Sequence, residues 1–350
     1  MDFARVEALL AEWGEPAYRS RQVYHAATRT LSADYDGMTV LPAALRRRLA
    51  DAEPLAELTT DEVRESADGT IKLRLTTRDG FPVEAVAMRH RGRRTACLSS
   101  QSGCPLACTF CATGQMGLGR SLRAGEIVEQ LLTLARILRD RDATVGNVVM
   151  MGMGEPFLNY DEVLAACHTM HDPEGFNLGA RHIAISTAGW VPGIERLADE
   201  PLPVRLALSL HAPTDELREQ LMPVTRRFPV ARVMEACRRY RERTGRRVFI
   251  EYLLLDGVND SDADARRLGR LLGAGPAFHV NLIAYNPTAS AYTASPPERV
   301  AAFAAVLDDL GVGASYRRSH GSDIEAACGQ LAVAGAKARR RQLRRLTART

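Results

Sequence analysis

Ala96-Cys97-Leu98-Ser99-Ser100-Gln101-Ser102-Gly103-Cys104-Pro105-Leu106-Ala107-Cys108-Thr109-Phe110-Cys111 runs from a short apolar segment into three cysteines at C-x3-C-x2-C spacing. Three thiolates on one short loop suit an iron–sulfur cluster in which one iron has no protein ligand. Four would close the cluster into an electron carrier, whereas three leave a coordination site for a substrate or cosubstrate. The spacing therefore points to chemistry at the metal. Zinc is the competing metal, but its sites pair a C-x2-C with a second Cys or His pair at a distance, and the sequence offers no such pair.

Downstream, short apolar runs alternate with amphipathic stretches: after 96–98 come 147–151, 182–186, 204–210, 248–255 and 280–285. Ile127, Leu131, Leu134 and Leu138 keep the 3.6-residue helical period, as do Val300, Phe303, Val306, Leu307 and Leu310. About six β/α units in parallel order predict an α/β fold, a partial (β/α)6 barrel of the TIM type, two units short of closure. Active sites of such barrels lie at the C-terminal ends of the strands. Here those ends are polar: the cysteine loop, Gly152-Met153-Gly154-Glu155-Pro156, Ser186-Thr187, Ser209-Leu210-His211, Asp256-Gly257-Val258-Asn259-Asp260 and Tyr285-Asn286-Pro287. Gly154-Glu155 suits close approach of a small zwitterion whose ammonium donates to the carboxylate. In isolation the same turn reads as structural, and its place beside the cysteine loop favours the ligand.

The chain before residue 85 has a different character. Residues 6–13, 21–28 and 43–49 predict short helices, followed by hairpin turns around Asp68-Gly69 and Asp79-Gly80. Three units are expected: a small N-terminal helical domain at 1–85, an accessory RNA-binding domain if Arg19, Arg21 and Arg46 to Arg48 are RNA contacts rather than solvated faces, the barrel at 90–324, and a C-terminal extension at 325–350. The net charge of +4 is unevenly spread, because residues 337–349 hold seven Lys or Arg and no acid, which leaves −3 for the remainder. A second basic cluster, Arg89-His90-Arg91-Gly92-Arg93-Arg94, precedes the cysteine region. Such clusters bind phosphates, so nucleic acid is a candidate partner; a frayed tail and a solvated turn are the alternative.

No apolar run reaches the roughly 18–20 residues of a membrane span, and the N-terminus carries acid and no apolar signal core. Seven cysteines, an odd number, fit a reducing compartment, and the chain is read as cytoplasmic with no membrane partner. Cys167 and Cys237 sit on apolar helical stripes and read as core. Cys97, seven residues before Cys104, is either a buried small residue or a reactive thiol, and nothing local makes Cys328 a nucleophile.

Cys97-Leu98-Ser99-Ser100-Gln101-Ser102-Gly103-Cys104, the cysteine loop with Ala112-Thr113-Gly114, Met151-Gly152-Met153-Gly154-Glu155-Pro156, Ser209-Leu210-His211-Ala212-Pro213 and Ala326-Ala327-Cys328-Gly329-Gln330-Leu331 together resemble the RlmN/Cfr family of RNA adenosine methyltransferases, within the radical S-adenosylmethionine (SAM) superfamily. The likeness runs from the N-terminal helices to about Leu331. It implies a [4Fe-4S] cluster on Cys104, Cys108 and Cys111, with SAM bound at the open iron and cleaved to a 5′-deoxyadenosyl radical. It also implies SAM contacts at Gly154, Glu155, Ser186, Ser209, Leu210, His211 and Asn286. By the same likeness one SAM methylates Cys328, a second yields the radical that takes hydrogen from the S-methyl group, and the carbon radical attacks adenine. Glu84 then matches the proton acceptor, and Cys97 the thiol that attacks the Cys328 sulfur, leaving a transient disulfide. By its own local pattern, a lone Glu in the run 83–88 also fits a solvent-facing position.

The resemblance further implies C2 of an adenosine in 23S rRNA, and of an adenosine beside the tRNA anticodon, as targets, with Cfr-type C8 methylation as the alternative. Flavodoxin with its reductase is the electron source it implies, and a monomer is expected. A rival from another class, a non-catalytic iron–sulfur RNA-binding module, would bind RNA without cleaving SAM. A second rival, another radical SAM enzyme such as a methylthiotransferase or a sulfatase-maturing type, would carry further cysteine clusters, which the leftover cysteines here are too few and too scattered to form.

Overall fold

Val6, Leu10, Val23, Ala27, Leu45 and Leu49 recur at helical spacing and are buried together. They belong to helices α1 (Phe3–Glu12), α2 (Tyr18–Thr28) and α3 (Ala43–Ala52), close to the predicted stretches. The computed structural model describes residues 3–90, 92–317 and 319–331. The basic tail at 337–349 and Arg91 lie outside these.

After the helices come β1 (Leu58–Glu65), β2 (Ile71–Thr77), β3 (Pro82–His90) and β4 (Arg93–Cys97), joined as antiparallel neighbours with turns at Asp68-Gly69 and Asp79-Gly80. The short strands β5 (Gln101–Ser102) and β6 (Arg120–Ser121) pair across the cysteine loop, which also holds helix α4 (Ala112–Met116). The repeating units follow: α5 (Ala124–Arg139), β7 (Val145–Met150), α6 (Tyr160–His171), β8 (Ile183–Thr187), α7 (Val191–Asp199), β9 (Arg205–Ser209), α8 (Asp215–Leu221), α9 (Val230–Thr244), β10 (Val248–Leu254), α10 (Asp262–Leu272), β11 (Phe278–Ala284), α11 (Pro297–Asp309) and β12 (Ala314–Arg317).

One ten-stranded sheet runs β1-β2-β3-β4-β7-β8-β9-β10-β11-β12, and its pairs from β4 onward are parallel. The six predicted strands are all present, in the predicted parallel order. β12 adds a further parallel strand that sequence reading misses, because Ser315, Tyr316 and Arg317 are exposed and carry no apolar signal. The hairpin strands share the barrel's sheet and core: Leu58, Ile71, Leu73, Leu75, Val83 and Ala85 pack with Ile127, Leu131 and Val148. Apolar packing therefore changes hands between Leu55 and Leu58, and the ladder is continuous across 85–93. Burying each such side chain contributes roughly 1.5–3 kcal/mol.

Strand alternation sorts the two faces. Ala96 and Leu98, Val148 and Met150, and Ile183 and Ile185 pack under the helices. The alternate residues Cys97, Val149, Ala184 and Ser186 take the opposite face. Glu126 fixes the start of α5 by accepting from the Arg123 amide at 2.8 Å, which places the helix that packs against β1, β3 and α6.

Candidate active site

Past Cys97 the chain is locked to its neighbours by Ser99. Its hydroxyl donates to the Glu84 carbonyl at 2.6 Å and accepts from the Met153 amide at 2.8 Å. The loop turns at Gly103 (φ 77°), where a Cβ would lie 1.9 Å from the Gly117 carbonyl oxygen, so only glycine lets the loop close. Cys104 and Cys108 are held on this closed loop. Burial pushes the Cys104 thiol up to about 12. Cys108 is raised well above the usual thiol range by burial and then by the charges of Cys111 and Cys104, with Arg218 opposing. Among the described residues no three His, Cys, Asp or Glu donors converge on a single metal ion; three thiols spaced along one closed loop suit instead a larger polynuclear group, which would deprotonate them.

The ends of β7 to β10 form the second wall. Glu155 is buried; its Oε1 accepts from the Phe157 amide at 3.1 Å and its Oε2 from the Ala188 amide at 2.8 Å. Burial raises its carboxyl, and those amide hydrogen bonds pull the other way. Gly154 serves packing: a Cβ there would lie 2.6 Å from the Gln101 Cβ, and Gln101 Oε1 accepts from the Glu155 amide at 3.0 Å. Ser186 and Ser209 face each other, hydroxyl to hydroxyl, at 3.3 Å. Leu210 buries its side chain in the main core, and its amide donates to the Glu251 carbonyl.

His211 adopts a positive φ of 58° and is buried, its ring edge-on to Phe110 of the cysteine loop at 5.0 Å. Its Nδ1 accepts from the Leu253 amide at 3.0 Å, so the proton of the neutral ring sits on Nε2. Burial, reinforced by the Arg218 charge, lowers its pKa to about 3. Asn259 fixes this loop by donating to the His211 and Leu253 carbonyls at 2.7 and 2.6 Å.

Arg218 carries no motif signal, yet its buried guanidinium binds this wall together. It donates to the Leu210, Ser209 and Ala188 carbonyls and to the Thr225 hydroxyl.

The third wall is the segment 319–331, a strap that runs between the N-terminal hairpin and the cysteine loop. Asp68 accepts from the Gly321 amide and Asp323 from Ser66 at one end. At the other end the Ala112 amide donates to the Gly329 carbonyl at 2.8 Å, and Asn286 donates to the Cys328 carbonyl at 3.3 Å. The strap brings Cys328 toward Cys97. Ala326 and Leu331, which flank Cys328, pack with Cys97, Val86 and Met153.

Cys97 is buried and its thiol is raised, first by burial and then by the nearby Cys328 charge. Cys328 is exposed, yet enough protein surrounds it that burial lifts its thiol to about 11, which is how a side chain lining a concavity behaves. All seven cysteines are free thiols, and Cys167 and Cys237 are buried in the core beneath the helices.

Glu84 does not face solvent. It is buried on the same face as Cys97's neighbour Val86 and pairs with Lys72 at 3.0 Å. The alternation of β3 gave its face, but only the register with β2 brings Lys72 to it. Lys72 and Arg218 are the site residues that local pattern did not single out, whereas Asn259 stood among the polar strand ends and Gln101 in the run before the cysteine loop. For Lys72 a charge between Ile71 and Leu73 was the available signal; Arg218, among Glu216, Leu217, Glu219 and Gln220, offered none.

Among the described residues no helix is long and apolar enough to cross a membrane. The radical SAM superfamily model matches residues 98–269. A probable dual-specificity RNA methyltransferase RlmN of Symbiobacterium thermophilum is 48% identical, covering 95% of this chain and 90% of that protein. A namesake from Chloroflexus aurantiacus is 48% identical over 95% of this chain and 91% of its own length. The crystal structure of a radical SAM methyltransferase from Sphaerobacter thermophilus superposes with a TM-score of 0.91 at 50% identity, covering 94% of this chain and 97% of that one. The closed cysteine loop, the polar strand ends and the strap that carries a thiol to the barrel mouth thus occur in a chain that belongs to the RlmN family of radical SAM RNA methyltransferases.

Proposed function

We propose that this chain methylates C2 of an adenosine in 23S rRNA and of an adenosine beside the tRNA anticodon, using Cys328 as the methyl carrier. One observation carries the reading: the strap seats Cys328 between the cysteine loop, through the Ala112 to Gly329 hydrogen bond, and the buried Cys97 thiol. Direct displacement from SAM onto RNA needs neither thiol. An amidine carbon is a poor nucleophile, so a polar methyl transfer to C2 fails and a radical route is required.

Cys104, Cys108 and Cys111 would hold a [4Fe-4S] cluster and Glu155, Ser186, Ser209, His211 and Asn286, with backbone at Gly154 and Leu210, the SAM bound to it; together they supply the hydrogen-abstracting radical. Cys328 holds the methyl carbon as a thioether and presents it to the base. Glu84, ionised beside Lys72, accepts the proton lost from the ring carbon. Cys97 then gives up its proton and attacks the Cys328 sulfur: an S–S bond forms as the C–S bond breaks, the C–S electron pair passes to the methylene carbon, which takes up a proton to become the methyl group, and the RNA leaves; the reductant afterwards returns the disulfide to two thiols. In the resting fold Cys97 is protonated and protected, which keeps it inert until the adduct exists. The target base enters extruded from its stack, because the thiols lie inside the barrel mouth. A cytoplasmic monomer, with flavodoxin and its reductase as reductant, completes the reading.

The relatives matched along most of the chain are of the RlmN type, which favours C2 over C8. The test is anaerobic incubation of reconstituted enzyme, SAM and reductant with unmodified large-subunit rRNA or tRNA, followed by nucleoside mass spectrometry. 2-Methyladenosine is expected from both RNAs. 8-Methyladenosine would transfer the chain to the Cfr reading, and 5′-deoxyadenosine without any methyladenosine would remove the RNA assignment.

A further inference from the structure

Lys72 lies on β2 with only 6% of its surface exposed, and Glu84 on β3 with 3%. Their strands are antiparallel, and the pairing of Arg74 with Glu84 and of Lys72 with Val86 puts all three charged side chains on one face. The Lys72 ammonium makes two contacts of equal length: a buried one, 3.0 Å to Glu84 Oε1, and a part-buried one, 3.0 Å to the Glu325 carbonyl on the strap. One cation thus touches both the carboxylate and the segment that delivers Cys328, three residues beyond Glu325. A buried carboxylate stays ionised only when charge or hydrogen bonds compensate its lost hydration. A buried ammonium with three donors does so while leaving hydrogens for a second acceptor.

We propose that Lys72 is a positioning residue that keeps Glu84 ionised and ties it to the seated strap, so that the proton acceptor is charged and in place only when Cys328 is docked. This rests on the reading of Glu84 given above. The step it serves is a proton transfer without redox change: the ring C–H bond breaks, the proton passes to the Glu84 carboxylate, and the electron pair stays on the purine. The other charged and titratable groups on this side are Arg64 and Glu62 on β1, Arg74 on β2, Cys97 on β4, and Glu325 and Cys328 on the strap. Arg74 is committed to Glu62 at 3.0 Å and Arg64 to Glu62 at 2.6 Å, so neither replaces Lys72.

The experiment compares wild type, Lys72→Gln, Lys72→Arg and Glu84→Gln as reconstituted full-length enzymes. Intact mass reads the methyl on Cys328, and denaturing gels read the covalent RNA adduct as pH is varied. Lys72→Gln should load Cys328 normally, accumulate adduct about tenfold over wild type near neutral pH, and release it as pH rises, the acid limb of release moving up by about one unit. Lys72→Arg should restore most release. A merely structural lysine would lower loading and release together and leave the limb in place.

If Lys72→Gln matches wild type while Glu84→Gln traps adduct, the inference about Lys72 fails and the reading of Glu84 stands. If Glu84→Gln releases RNA normally, the reading of Glu84 itself fails. A second measurement does not depend on a Lys72 variant folding. The carboxyl infrared band present in wild type and absent from Glu84→Gln should be that of the ionised group at neutral pH. A band that stays protonated at neutral pH overturns the proposal.

Discussion

The two sides of the barrel mouth are held together by different means. On the β8 to β10 side, Arg218, Asn259 and Glu155 are buried side chains that bind main-chain groups from successive strand ends. The opposite side is closed by the strap, most of it outside helix and strand, docked through hydrogen bonds spaced along it: Asp68 accepts from Gly321, Asp323 accepts from Ser66, and Lys72, Asn286, Thr113 and the Ala112 amide donate to its carbonyls. A network of buried polar groups opens only with the whole domain, whereas an irregular segment held mostly by part-buried contacts opens locally. The first arrangement suits a small ligand of fixed shape. The second suits a thiol that must reach a macromolecular substrate and afterwards be freed from it.

The sharpest test of the strap side is chemical. Cys328→Ala should abolish both the protein-bound methyl and methyladenosine, seen by intact mass and nucleoside analysis. Cys97→Ala should still load the methyl and then retain RNA covalently on a denaturing gel; free methylated RNA from that variant would end its resolving role.

On the opposite wall the expected effect is on stability. Arg218→Met strips donors from the Ala188, Ser209 and Leu210 carbonyls and from Thr225; Leu210 keeps the Ala212 amide and Thr225 its bond to the Met222 carbonyl, and each buried acceptor left without a partner costs about 1–3 kcal/mol. Incomplete additivity brings the expected loss to about 4 kcal/mol, read from denaturant unfolding. A loss below about 1 kcal/mol would mean this wall is no more tightly built than the strap.

His211 sharpens the same contrast through pH. Its folded pKa of about 3 lies below the ordinary 6.5, so the unfolded chain binds the extra proton between those values. Its stabilising contribution is therefore complete above 6.5 and is lost as pH falls toward 3, a loss of up to a few kcal/mol. His211→Asn, whose carbonyl can accept from the Leu253 amide, should flatten the unfolding free energy across that window. An unchanged slope would mean that other groups set it.

The smallest effect belongs to Asn286→Ala. Losing its 3.3 Å contact to the Cys328 carbonyl should cost about 1 kcal/mol, confined to the strap. Limited proteolysis near Cys328 should quicken while the barrel's unfolding midpoint stays put. A matching fall in that midpoint would show that strap and barrel open together.

Much of this molecule was legible in order along the chain. The strand runs, the helical period of Ile127, Leu131, Leu134 and Leu138, and the hairpin turns at Asp68-Gly69 and Asp79-Gly80 recur where expected, because periodicity and turn chemistry act between near neighbours. β12 escaped because an exposed edge strand needs no apolar pattern. Glu84 was legible as a residue but not as an environment: alternation places it on a face, and whether that face meets water depends on what covers it.

The amino-acid order by itself determined the cysteine spacing, the alternation of strand and helix, and the polar ends of the predicted strands. Tertiary structure alone decided that Cys328 packs toward Cys97, that Lys72 reaches both Glu84 and the strap, and that Arg218 joins the strand ends. The first set are properties of adjacent residues, fixed by bond geometry and side-chain periodicity. The second set pair residues far apart in sequence, whose meeting is written in no local pattern and is imposed by strand register and by the burial that offsets the entropy of closing the chain.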